Sequence, residues 1–317
     1  MTTLLVASTG GHLKQLHQLH RRLAGIEGPF RWVTFDTPQS RSLLAGADVD
    51  FVRFVGGRDP VNVIRNIAPA RRILSERAID TLVSTGSAVA FPFFGVARLR
   101  GLDCHYIESA ARSDRPSMTG SLVSRLPRVK LYTQYPGWTQ KGWVYGGSVF
   151  DSFESASTPE MLPSQITNVV VTLGTYRGYG FRRLLQRLLA LLPRDASVLW
   201  QTGDTDTTDL DIDGQYALPE RDLIDAMREA DLVVSHAGVG TALAAMEAGK
   251  CPVLVPRRLS HHEHVDDHQI QVAAELRRRG LSISIDVEYL GCQHLLSAAA
   301  RRIVTRSTVE PFLTRAI

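Results

Sequence analysis

Cysteine is scarce in this sequence: Cys104, Cys251 and Cys292 are the only three in 317 residues. So few, so far apart, exclude a disulfide scaffold and a thiolate zinc site, and they point to a reducing, cytoplasmic setting. Long apolar runs are missing too. The longest uncharged one, Ala88 to Ala97, contains Pro92 and is about half of what a membrane-spanning helix needs. The opening MTTLLVASTGGHLKQ has no basic segment, apolar core and cleavage site of the signal-peptide kind. There is no Walker A lysine, no G-x-S-x-G elbow, no zinc finger and no RNA-binding aromatic motif. The full GxGxxG dinucleotide fingerprint is also absent, which argues against a nicotinamide or flavin enzyme. What remains is 44% hydrophobic and 21% charged, with 25 Gly and 15 Pro, a composition that excludes disorder, collagen-like repeats and coiled coil. The length suits two domains, each able to bury its own core.

Charge is unevenly placed. Residues 1–150 carry 19 Lys and Arg against 10 Asp and Glu, whereas residues 151–317 carry 17 against 22. A basic first half faces something anionic, such as a membrane surface, a phosphorylated substrate or nucleic acid, or else is an Arg-rich solvated surface.

Short apolar runs alternate with amphipathic segments. Leu4–Ser8, Arg31–Asp36, Val52–Val55, Thr81–Ser84, Cys104–Ile107 and Val129–Thr133 read as strands, with helices over Leu13–Ala24 and Val61–Ala78. The pattern weakens between Tyr145 and Asn168 and then restarts. Strands are expected at Asn168–Leu173, Ser197–Gln201, Leu232–Ser235 and Pro252–Pro256, and helices at Phe181–Leu192, Asp222–Glu229, Thr241–Ala248 and Gln269–Arg279. This alternation predicts two consecutive α/β domains with parallel sheets: residues 1–150, a linker at 151–162, and residues 163–317. Ligands are expected at the carboxyl ends of the strands and in the cleft between the domains.

Four segments carry chemistry. Ser8-Thr9-Gly10-Gly11-His12 follows the first strand and opens a helix. Its glycines let a ligand approach the backbone, and the helix-start amides favour an anion. His12, which titrates near neutrality, is either a general base or a residue that fills the turn. Leu173-Gly174-Thr175-Tyr176 repeats the strand-to-glycine-turn pattern in the second half. Ser235-His236-Ala237-Gly238-Val239-Gly240-Thr241 offers small residues and a helix N-terminus to a diphosphate. The fourth, Pro256-Arg257-Arg258 followed by HHEHVDDHQ from His261 to Gln269, is rich in histidine and carboxylate. It shows no regular ligand spacing, so a polar loop that contacts a sugar or a phosphate is expected there, and no metal. Ser84-Thr85-Gly86-Ser87 and Tyr106-Ile107-Glu108-Ser109 lie at further strand ends. The aromatic cluster Tyr132, Tyr135, Trp138, Trp143 and Tyr145 reads as packing.

The segment SHAGVGTALAAMEAGKCPVLVPR, with EHVDDHQIQVAAELRRRG after it, resembles the donor-binding half of glycosyltransferase family 28. VTLGTYRGYGFRRLL is similar to the opening strand and loop of that half. STGGHLKQL, STGSAVAFPFFGVARLRG, YIESAARSDRPSMTGSLV and YGG resemble the membrane-side subunit of the family's two-part enzyme, which adds a second sugar to a polyprenyl-diphosphate-linked sugar. Bacterial capsule and exopolysaccharide enzymes are relatives of that enzyme. The likeness covers nearly the whole chain, as a fusion of the two subunits, and extends more distantly to MurG.

The resemblance implies a GT-B fold, two facing Rossmann-like domains with an acceptor in the first and a UDP-sugar in the second, without cofactor or catalytic metal. It implies inverting transfer of a hexose, HexNAc or hexuronic acid to a polyprenyl-diphosphate-linked sugar at the inner face of the cell membrane. A GT-B enzyme acting on a soluble natural-product acceptor is the alternative. His12 would be catalytic, and Gly10, Gly11, Thr85, Gly86 and Glu108 would form the acceptor and phosphate loops. Gly174, Thr175, Tyr176, Gln201, Gly203, His236, Ala237, Gly238, Gly240, Thr241, Glu247, Arg257, Asp267 and Gln269 would bind the donor, with Asp267 and Gln269 on the sugar. The acid that holds the ribose in many GT-B enzymes is replaced here by Ala244, and Glu247 is the nearest carboxylate. The chain begins at its first strand without the relatives' anchoring helix, so contact with an anionic membrane would be peripheral. No nucleic acid is expected, and a homo-oligomer is compatible with these features.

Overall fold

Buried strand runs fed by glycine turns and flanked by amphipathic helices leave one arrangement open to each half, a parallel sheet covered by helices. The computed structural model describes residues 2–314 except 57–58, 77, 139, 157–164 and 176–177. Two units are present, Met1–Asp151 with Glu310–Ile317, and Ser152–Val309.

In the first unit the strands are β1 (Thr2–Val6), β2 (Phe30–Phe35), β3 (Asp48–Val52), β4 (Ile79–Ser84), β5 (Asp103–Ile107), β6 (Val129–Thr133) and β7 (Trp143–Tyr145). They form one sheet in the order β3-β2-β1-β4-β5-β6-β7, with every pairing parallel. The helices are α1 (Gly11–Leu19), α2 (Pro38–Leu43), α3 (Pro60–Arg65), α4 (Ile67–Glu76), α5 (Ala90–Leu99) and α6 (Met118–Val123). Leu4, Val6, Val33, Ile73, Phe93 and Tyr106 are among the core residues. The uncharged run from Ala88 is the buried α5, as its composition predicts.

Three expectations shift. The strand expected at Val52–Val55 lies at Asp48–Val52, where alternate carboxylates hide it from an apolar pattern. Arg31 on the neighbouring strand bonds Asp50 and lies 3.9 Å from Asp48. The helix expected over Val61–Ala78 is broken at Asn66, whose buried side chain bonds Arg53 and Asn62. The first helix ends at Leu19 and continues as a 3-10 turn, His20–Arg22.

The second unit contains β8 (Phe153–Ser155), β9 (Asn168–Thr172), β10 (Ser197–Gln201), β11 (Gly214–Gln215), β12 (Leu232–His236), β13 (Val253–Val255), β14 (Ile283–Ser284) and β15 (Ile303–Thr305). Its helices are α7 (Arg182–Leu191), α8 (Glu220–Glu229), α9 (Val239–Glu247), α10 (His268–Arg278) and α11 (Cys292–Ala299). Six strands form a parallel sheet, β11-β10-β9-β12-β13-β14, and β8 pairs antiparallel with β15. The expected linker therefore begins as structure, since Ser152 to Ser155 belong to the second unit, and residues 157–164 lie outside the described set. The last residues, expected in the second domain, group with the first unit. There Phe312 is fully buried, and its backbone bonds Arg22 and Ala24.

Strand order reverses between β1 and β4 in one unit and between β9 and β12 in the other. In open parallel sheets such a reversal leaves a crevice at the carboxyl ends of the two central strands, where ligands bind.

Candidate functional site

At the β1/β4 reversal, the turn after β1 passes through Gly10 at φ +84° and places His12 in the first turn of α1. The loop after β4 places Thr85 beside it. His12 Nδ1 lies 2.8 Å from the Thr85 carbonyl, and the Thr85 hydroxyl donates to the His12 carbonyl at 2.8 Å. A carbonyl only accepts, so Nδ1 carries the proton and Nε2 carries the lone pair, the tautomer of a general base. Gly86, at φ +103°, is required here: a Cβ would lie 2.8 Å from the Tyr106 hydroxyl and 3.4 Å from His12 Cε1. The N-terminus of α1 has no side-chain cap, and the Gly10 amide donates to Gln39.

Glu108, at the end of β5, is fully buried. Its carboxylate accepts from the amides of Ser109 and Ser117 and from the Ser117 hydroxyl, at 3.1, 2.9 and 3.1 Å. Ser117 in turn caps α6 and lies 3.3 Å from the Tyr106 hydroxyl. Burial pushes the Glu108 carboxyl up to about 7. It is thus a brace of the 109–117 loop. The sequence reading did not single out Ser117, Tyr106 or Gln15 as site residues. Gln15 ties Ser109 and Ala110 to α1.

At the β9/β12 reversal, His236 is wedged between two glycine turns. A Cβ on Gly174 (φ +72°) would lie 2.7 Å from its Cε1, and one on Gly238 would lie 2.3 Å from its Nε2. Gly203 is equally tight, since its Cβ would meet the Gly174 carbonyl oxygen at 2.2 Å. His236 is held near the Thr172 carbonyl at 3.4 Å; burial, then the Arg257 cation, pushes it down to about 3. Ala237 is buried, while Gly240 and Thr241 lie in the first turn of α9, whose N-cap, Gly238, offers no side-chain acceptor to the helix-start amides. Such an end favours an anion.

Arg257, 1% exposed, donates to the Leu173 carbonyl at 2.8 Å and stands over the Phe181 ring, and its Nε is buried without a hydrogen-bond partner in the structure. Burial lowers it to about 10, so it stays a cation at neutral pH.

Other expected donor residues sit differently. Gln201 is buried and spends both ends of its amide on Thr172 and Leu218. Gln269, expected on the sugar, is buried with its Oε1 on the Arg257 amide, which makes it a brace of that turn. Asp267 is exposed and accepts from the Leu259 amide. Glu247 is exposed at the far end of α9 from Gly238. Thr175 is exposed, and Tyr176 lies outside the described residues.

The family model for the glycosyltransferase family 28 C-terminal domain matches residues 168–306, which is the segment that builds the β9/β12 crevice. Residues 168–306 are thus similar to the C-terminal domain of glycosyltransferase family 28, and the chain is a glycosyltransferase. A relative, the UDP-N-acetylglucosamine--N-acetylmuramyl-(pentapeptide) pyrophosphoryl-undecaprenol N-acetylglucosamine transferase of Shewanella sp. strain MR-4, is 26% identical over 318 residues, covering 93% of this chain and 86% of the relative. Among solved structures, MurG of Acinetobacter baumannii matches with a TM-score of 0.56 at 20% identity, over 94% of this chain and 93% of that one. S. aureus MnaA, solved with UDP, matches with a TM-score of 0.57 at 12% identity, over 95% and 92%. The two Rossmann-like units and these neighbours make the fold of this chain GT-B.

Proposed function

We propose that this glycosyltransferase transfers a sugar, with inversion, from a UDP-sugar to a polyprenyl-diphosphate-linked sugar in cell-wall or cell-surface polysaccharide synthesis. The observation that carries the reading is the His12–Thr85 pair, which holds an imidazole with its basic nitrogen at Nε2 in an anion-favouring crevice. His12 takes the proton of the acceptor hydroxyl as that oxygen attacks the anomeric carbon and the bond to UDP breaks. The departing diphosphate is met by the α9 amides, the Gly174 and Gly238 turns and the Arg257 cation, which supply electrostatic stabilisation without a catalytic metal. The Shewanella relative, named as an N-acetylglucosamine transferase that acts on a pyrophosphoryl-undecaprenol acceptor, supports this substrate class.

A lipid-linked acceptor requires a surface that meets a membrane. No helix among the described residues is long and apolar enough to cross one. On the first unit, α5 packs against α3 and α6, and these elements expose Val61, Ile64, Leu99 and Met118. Exposed apolar side chains on a unit whose sequence is rich in Lys and Arg suit peripheral binding to an anionic leaflet.

The test is His12→Ala. Transfer of sugar to a polyprenyl-diphosphate acceptor should fall by about two to four orders of magnitude while calorimetric binding of the UDP-sugar is retained. A variant with near-normal turnover removes His12 from the chemistry.

A further inference from the structure

The histidine-rich loop was expected to hold no metal because its spacing is irregular, yet folding gathers three of its residues. After the 3-10 turn Leu259–His261, His262 adopts a left-handed conformation at φ +56° and the chain turns toward α10. His264, Asp266 and His268 then each bring one ligand atom to within 4.8 Å of the others. Asp266 Oδ1 bonds His268 Nδ1 and lies 3.6 Å from His264 Nδ1, and the two imidazole rings stand edge to face with centroids 4.7 Å apart.

We propose that His264, Asp266 and His268 form a site for one divalent first-row transition-metal ion of the zinc or cobalt kind. Two imidazoles and one carboxylate, with further positions left for water or ligand, are a donor set that such ions prefer over magnesium or calcium. Donors about 2.1 Å from one ion stand roughly 3–3.5 Å apart, so the trio needs only small side-chain rotations to close on it. On binding, the Nδ1 proton that His268 shares with Asp266 moves to Nε2, and both atoms turn lone pairs to the ion.

The scaffold is already fixed. Glu263 is held by two bonds from Arg183 and one from the Arg258 amide, Asp267 holds the Leu259 amide, and the Tyr179 ring packs against His264. A site braced in this way costs little ordering entropy on binding. The inference does not depend on the transfer reaction, because its readout is the metal itself.

The test uses the full, tag-free chain stripped with chelator and titrated with Co2+, followed by visible absorption, and with Zn2+, followed by calorimetry. One ion per chain is expected. Asp266→Asn, His264→Ala and His268→Ala should each weaken binding by at least about tenfold. His261→Ala, an exposed histidine outside the trio, should leave it unchanged. Asp266→Asn is nearly isosteric, and retention of its circular dichroism spectrum separates loss of a ligand from loss of fold. No binding at millimolar metal, or one-to-one binding that survives Asp266→Asn and His268→Ala, overturns the site.

Discussion

Glu108 shows what a single residue can do in this fold. Its position at a strand end is legible in the sequence, but its role comes from being sealed inside with three donors to satisfy and a glycine, Gly120, whose Cβ would meet its Oε2 at 2.1 Å. Its folded value of about 7 lies above the ordinary 4.5, so between those values the folded chain keeps a proton that the unfolded chain has lost. The stability this proton contributes is full below the unfolded value and is lost as pH rises through the folded one. The melting temperature of the wild type, measured relative to Glu108→Gln, should therefore fall between about pH 5 and pH 8. A difference that stays flat over that range would place the proton elsewhere. His12 is the complementary case: residue type and a strand-to-helix turn mark it in the sequence, while the choice of Nε2 as base depends on a carbonyl 73 positions away.

Elements were legible where their signals are local and periodic. The helix α2 opens with a capping box, Thr37 with Ser40, and Pro38 in its first turn, but six residues carry no apolar periodicity, and the sequence pattern marks no helix there. The break between α3 and α4 was not legible, because Asn66 stops the helix through bonds to Arg53, 13 residues upstream. Asn66 is fully buried, so Asn66→Ala removes its two bonds to the Arg53 backbone and leaves a gap at a buried position. A loss of about 1–3 kcal/mol is expected, read as a lower urea midpoint with an unchanged slope. An unchanged midpoint would show that the helices are separated by something other than this side chain. The strand β3 was shifted in the reading for a related reason: Asp48 and Asp50 look like surface loop until Arg31 is placed beside them by the sheet.

At the scale of the whole molecule, two chain segments far apart in sequence share the first unit. Residues from Glu310 on return to it: Phe312 packs edge to face on Tyr132 and fills the space over Gly146, where a Cβ would lie 2.5 Å from its ring. Arg22 donates to the Ser148 and Glu310 carbonyls in the same corner. Phe312→Ala should cost the first unit about 3–5 kcal/mol and make it the first to be cleaved in limited proteolysis during a thermal ramp. If the second unit is cleaved first in the variant, the terminal segment is not what secures this corner.

The sequence by itself determined the α/β class, the two-part repeat of strand, glycine turn and helix, and the turns that carry His12, Gly174 and Gly238, because periodicity and βα turns depend on neighbours a few residues apart. The tertiary structure alone decided which strands lie side by side. That choice set His12 against Thr85 and His236 against Gly174, and it buried Gln201 and Gln269 as braces, while the turn at His262 gathered His264, Asp266 and His268. Strand order is a non-local outcome of burying both faces of each sheet, and the distance between residues on different strands follows from that order and not from their separation along the chain.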